Sequence, residues 1–143
     1  MIKFFVNCEP STITAQSGQR VFKNRKTGKS FIGKTKQAES VRTEMMLWFK
    51  KWKPKAPIKG PVGLVVDFVF PFPKRTPKYL KARNIIPKDT KPDCDNLMKQ
   101  VCDAIEMAGY FEVGDQQVYD MRCRKWYGNN AGIGVELDDR IHD

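Results

Sequence analysis

The sequence has no apolar run approaching the ~20 residues of a membrane-spanning helix, which excludes a membrane partner of that kind. No basic segment followed by an apolar stretch and a small-residue cleavage site opens the chain, so it reads as cytoplasmic. Its 4 cysteines, Cys8, Cys94, Cys102 and Cys123, form no C-x-x-C pair and have no histidine cluster nearby. A structural zinc site is therefore not expected, and the thiols read as reduced. Histidine is almost missing: His142 is the only one, and its place in the tail gives it no role. There is no Gly-rich phosphate loop, which argues against a nucleotide phosphohydrolase. No internal repeat or linker divides the 143 residues, which read as one domain, 1–143. Negative charge is also scarce, with 16 Asp+Glu against 26 Lys+Arg and a net charge of +10. That excess favours a polyanionic partner, nucleic acid first, without naming a reaction.

What remains is α+β in pattern. Residues 2–8, "IKFFVNC", are β-branched and aromatic as a strand requires. Two short runs, around Val21–Phe22 and Phe31–Ile32, flank a turn in which Gly28 supplies positive φ, giving a basic β-hairpin. Its Arg20, Lys23, Arg25, Lys26, Lys29, Lys34 and Lys36 either grip phosphates or simply keep the hairpin soluble. From about Lys36 to Trp52 the apolar residues Ala38, Val41, Met45, Trp48, Phe49 and Trp52 recur at helical spacing, and Pro54 closes the segment. "VGLVVDFVFPFP" is the most continuous apolar run and reads as a strand at the sheet centre, buried on both faces. Asp67 interrupts it and must face an edge or find a partner.

Residues 74–91 form a basic, proline-broken loop with one short helical turn, carrying Lys74, Arg75, Lys78 and Lys91. A second amphipathic helix, about Asn96 to Ala108, aligns Leu97, Val101, Ala104, Ile105 and Ala108, with Gly109 as its stop. Two last strands, about Gln117 to Trp126 and Gly132 to Leu137, read as a hairpin closed by "YGNNAG". The fold class expected is α+β, a small mixed β-sheet with two main helices packed on it.

The carboxylates of "KPDCDNLMKQVCDAI" carry the chemical argument. In extended backbone, Asp93 and Asp95 fall on one side, where like charges repel unless a divalent cation neutralises them. The alternative makes Asp95 a helix cap, which accounts for one aspartate and not two. Asp115, in the turn after the helix, can return beside the pair and complete a three-carboxylate site. Oxygen donors of this kind select Mg²⁺ or Mn²⁺ and suit phosphoryl transfer. Lys99 lies four residues past Asp95 on the same helix face, placed either to meet a substrate phosphate or to pair with Asp95.

"KPDCDNLMKQVCDAI" followed by "GDQQV" resembles the RusA family of Holliday-junction resolvases, whose signature is D-x-D-N-x-x-K, a helix, and a D-x-Q/D-x-V turn. The resemblance is close over residues 91–126 and loose over 10–60. It implies a RusA-like α+β fold, a symmetric homodimer, and Mg²⁺-dependent endodeoxyribonuclease activity on branched DNA, four-way junctions above all. Onto this chain it carries metal ligation by Asp93, Asp95 and Asp115 and a catalytic role for Lys99. The family often has two acidic residues where this chain has Gly114 and Asp115, so Asp115 takes the ligand position, with Glu112 as the alternate. Phosphate contacts are expected from Lys74, Arg75, Lys78, Lys91 and Asn96, and an aromatic such as Phe72 or Tyr79 is a candidate wedge between unstacked bases. The competing reading is a non-catalytic basic nucleic-acid-binding protein.

Overall fold

The computed structural model describes residues 1–13, 19–23, 25–34 and 36–140, with backbone only for 19–23, 31–34 and 38. His142 and the side chains of Arg20, Lys23, Lys34 and Ala38 thus lie outside the described set. In chain order the elements are β1 (Ile2–Asn7), β2 (Gln19–Lys23), β3 (Ser30–Lys34), α1 (Lys36–Lys50), β4 (Val62–Pro71), α2 (Lys78–Lys81), β5 (Ile85–Pro87), α3 (Cys94–Ala108), β6 (Val118–Gly128) and β7 (Gly132–Asp138). A single 3₁₀ turn, Asp115–Gln117, precedes β6.

Five strands form one mixed sheet in the order β1-β7-β4-β6-β5, and β2 pairs with β3 as a separate antiparallel hairpin whose Gly28 has φ 70°. β4 is central as its apolar run demands, antiparallel to β7 and parallel to β6. Only one of its faces is sealed, however. Val62, Leu64, Val66, Phe68 and Phe70 are buried, whereas Gly63, Val65 and Asp67 on the other face are half-buried. The reason is that the core lies on one side of the sheet. Phe4, Val6, Ile133, Val135 and Leu137 join the buried β4 residues there, against Met45 and Phe49 of α1 and the Leu97, Val101, Ala104, Ile105 and Ala108 stripe of α3.

The two last strands are not a hairpin. β4 lies between them, so β6 and β7 never pair. Residues 129–131 bridge that gap, and three residues at ~3.3–3.6 Å each reach across two strand spacings of ~4.8 Å. Inserting β4 there satisfies both of its hydrogen-bonding edges, which the most apolar strand requires. The basic segment also contains an unexpected strand, since Ile85–Pro87 pairs with Trp126–Gly128 at the sheet edge. α2 is the short helical turn expected there.

Both long helices run close to their expected bounds. α1 stops at Lys50, and Trp52, in the following turn, stacks on Phe4 with ring centroids 4.7 Å apart. α3 begins at Cys94, two residues earlier than the apolar pattern starts, because Asp93 takes the extended N-cap backbone after Pro92. Gly109 ends it at φ 89°, a left-handed conformation that glycine adopts without strain.

Candidate active site

Three pieces of chain meet beside the N-terminal half of α3: the loop that enters it, the helix itself, and the 3₁₀ turn. The entering loop is pinned to β6. Lys125 Nζ donates to the carbonyl oxygens of Thr90 at 2.7 Å and Pro92 at 2.8 Å. Lys88 Nζ donates to Thr90 Oγ1 at 2.6 Å and to the Tyr127 hydroxyl at 3.0 Å. Thr90 Oγ1 and the Tyr127 hydroxyl also share a hydrogen bond of 2.8 Å, and the Lys88 bond first, then that with Thr90, hold the Tyr127 hydroxyl below its ordinary pKa. The Lys88 ammonium also lies 4.5 Å from the centre of the Tyr127 ring. A basic segment with no core of its own is thereby fixed where it delivers Asp93.

The 3₁₀ turn is held by Gln117. Its Oε1 accepts from the backbone N–H groups of Val113 at 2.7 Å and Gly114 at 3.3 Å, while its Nε2 donates to the carbonyls of Ile58 at 2.8 Å and Gly60 at 2.9 Å. The carboxamide thus adds to the backbone bonds that Ile58 makes with Tyr110 and Glu112 between the segments after α1 and α3, and Asp115 is set at the start of the turn.

Between these pieces lies a cavity of about 440 Å³ whose walls include Asp95, Lys99 and Asp115, together with the thiols of Cys94, Cys102 and Cys123. Asp95, Lys99, Cys102 and Glu106 recur at i, i+4, i+7 and i+11 and so form one stripe along α3. Asp93 is exposed at the N-cap and is not part of this wall. Its carboxylate makes no capping hydrogen bond, so the helix cap does not account for it. Among the described residues no ion pair joins Lys99 to Asp95, and both side chains are exposed.

A tighter acidic group stands at the far end of the stripe. Carboxylate oxygens of Asp103, Glu106 and Asp115 all lie within 4.8 Å of one another. Burial first, then the charges of Asp115, Asp103 and Glu106, pushes the neighbouring Cys102 thiol up to about 11. Asp103 and Glu106 were not singled out by the sequence pattern, although their i, i+3 spacing and the two-turn offset from Asp95 place them on the Asp115 side of α3. A Cβ built on Gly114 would meet Glu106 Oε1 at 2.6 Å, so the Glu106 carboxylate occupies space that a side chain at 114 would need. Glu112 turns away, 4.0 Å from Lys59.

The remaining candidates lie outside the cavity. Lys74, Arg75, Lys78 and Lys91 are exposed, and Asn96 is half-buried in the first turn of α3. Phe72 stacks on Tyr127 at 6.3 Å, whereas Tyr79 is 68% exposed. Asp67 has its partners: Arg124 Nε and Nη2 donate to its two oxygens at 2.6 and 2.8 Å, and Trp126 Nε1 donates at 2.9 Å. Burial works to raise the Asp67 carboxyl, and these hydrogen bonds with the Arg124 charge outweigh it, leaving the group below its usual pKa.

A mixed sheet covered on one face by two helices, one of them carrying carboxylates and a lysine beside an acidic turn, defines a small α+β protein with an acidic cavity. The chain belongs to the endodeoxyribonuclease RusA family, which it matches over residues 10–138. A curated relative, the uncharacterized protein YqaN of Bacillus subtilis (strain 168), is 28% identical over 133 residues, covering 84% of this chain and 90% of that protein. No helix among the described residues is long and apolar enough to cross a membrane.

Proposed function

We propose that this chain is a divalent-metal-dependent, structure-specific endodeoxyribonuclease that resolves Holliday junctions and related branched DNA by paired symmetric nicks, in recombination and repair. The observation that carries the reading is the shared cavity of Asp95, Lys99 and Asp115 in a chain of the RusA family. The carboxylate oxygens of Asp95 and Asp115 fit a hard cation. Asp93, Asp95 and Asp115 would hold Mg²⁺, with Mn²⁺ as a substitute, and Asp103 and Glu106 reinforce the Asp115 end. When bound, the ion supplies Lewis acidity toward the scissile phosphate and the attacking water.

The chain's own residues do the rest. Lys99 places its ammonium against the negative charge that grows on the phosphate. Lys74, Arg75, Lys78 and Lys91 hold DNA backbones beside the cavity, and Asn96 contacts the strand entering it. A four-way junction is nearly two-fold symmetric and needs two opposed cuts, so the active species is a symmetric homodimer with one site per copy.

The test uses the purified chain with synthetic four-way junctions and matched linear duplexes, with and without Mg²⁺. Symmetric nicks in the junction alone are expected. Asp95→Asn and Asp115→Asn should each lower nicking by about 10²-fold or more while retaining junction binding. Tight binding with no nicking under any divalent ion would instead leave a basic nucleic-acid-binding protein.

A further inference from the structure

The cavity wall holds chemistry that the nuclease reading does not use. Cys94 is the first residue of α3, between Asp93 and Asp95, and Cys123 lies on β6 in register with Val66 of β4. Both are half-buried. Cys94 Sγ donates to the Cys123 carbonyl oxygen at 3.9 Å, and both cysteines line the same cavity wall. The other cysteines are placed differently: Cys102 is buried further along α3, and Cys8 lines a separate cavity with Glu44.

We propose that Cys94 and Cys123 form a reversible dithiol–disulfide site in the wall of the metal cavity. With Cys94 Sγ 3.9 Å from the Cys123 backbone and both side chains on one wall, an S–S bond of ~2.05 Å is reached through side-chain rotation and small backbone shifts. The oxidant is a peroxide. It converts one thiol to a sulfenic acid, and the second sulfur then displaces water from it, so an S–S bond forms as the S–O bond breaks. In total the two thiols lose two hydrogens and hydrogen peroxide is reduced to two waters. A small dithiol reverses the step by thiol–disulfide exchange.

The bond would tie the first turn of α3 to β6, and the residue it anchors is the one between Asp93 and Asp95. Oxidation thus fixes the backbone of both carboxylates in a new position. A displacement of ~1 Å at reacting groups is enough to cost about 10²-fold in rate. The disulfide stands on the thiol geometry alone; its effect on nicking rests on the nuclease reading.

The experiment treats the intact chain with hydrogen peroxide and maps its peptides without reduction. A single cross-link joining Cys94 to Cys123 is expected, absent from Cys94→Ser and from Cys123→Ser and removed by dithiothreitol. Phenylarsine oxide, which bridges paired thiols without oxidising them, should be captured by the native chain and not by either variant. Pairing through Cys102 or Cys8, cross-links between chains, or thiols that stay free while the unfolded chain oxidises would overturn the site. In the same samples, junction nicking should fall about 10²-fold on oxidation and return on reduction, while Cys123→Ser nicks equally before and after peroxide. A cross-linked chain that nicks at full rate defeats the proposed control of activity. A reduced chain that never nicks defeats the nuclease reading and leaves the disulfide standing.

Discussion

One carboxamide, that of Gln117, serves four backbone groups on two segments whose other side-chain bridge is the exposed Lys59–Glu112 pair at 4.0 Å. Gln117→Ala leaves two N–H groups and the Gly60 carbonyl to find water, the Ile58 carbonyl keeping the Glu112 N–H, and should cost about 1–3 kcal/mol in urea unfolding. Gln117→Glu keeps the acceptor for Val113 and Gly114 and loses the donor to Ile58 and Gly60, so its loss should be intermediate. A Gln117→Ala chain as stable as the native one would show that the turn carrying Asp115 holds itself. Asp67 gives a second prediction at this scale. Its carboxyl lies below its ordinary value in the fold, so ionised Asp67 contributes stability above the unfolded carboxylate pKa. That contribution is lost as pH falls through the lowered folded value. Asp67→Asn should therefore be less stable than the native chain at neutral pH, with the two converging in strong acid. A difference that stays constant with pH would mean that ionisation of Asp67 contributes nothing.

The loop before α3 is ordered by a strand it does not belong to, since Lys125 on β6 donates to two of its carbonyls and Lys88 N donates back to the Lys125 carbonyl. Lys125→Met should raise amide hydrogen exchange at Lys88 and across the N-terminal turn of α3, leaving Val101–Ile105 protected. Uniform exchange along α3 would deny the loop any separate hold. This dependence explains what was legible at the level of elements and what was not. α1, α3 and the β2–β3 hairpin follow from local periodicity and one glycine, signals that need no knowledge of neighbours. The place of β4 follows from its apolar content. That β4 separates β6 from β7 is invisible locally, because a three-residue link serves a tight turn or a step over one strand equally well. β5 was hidden because three residues among prolines carry no period; it forms only because β6 offers an edge. At the site, the spacing of Asp95 and Lys99 puts both on the cavity wall that Asp115 also lines, while Asp93 stands outside it. The approach of Asp103 and Glu106 was not readable along the chain, since it depends on Gly114 leaving room for the Glu106 carboxylate.

At the scale of the whole molecule the net charge of +10 sets how the chain meets DNA, and its distribution decides where. Lys74, Arg75, Lys78 and Lys91 are all exposed, and none forms an ion pair among the described residues. Arg25 and Lys29 on the β2–β3 hairpin are exposed as well, so two basic surfaces compete for the phosphates. Counterion release separates them. Each phosphate neutralised adds about −0.9 to the slope of log K against log salt, so removing a true contact lowers the magnitude of that slope by about one. Arg75→Ala and Lys78→Ala should each do this and weaken junction binding equally across arm sequences, whereas Arg25→Ala and Lys29→Ala should leave the slope unchanged. The reverse pattern, measured by junction-binding titrations over a range of salt, would move the DNA path to the hairpin. Two copies related by a two-fold axis would then present those hairpins to the junction, and the segment between β4 and α3 would serve only to position Asp93.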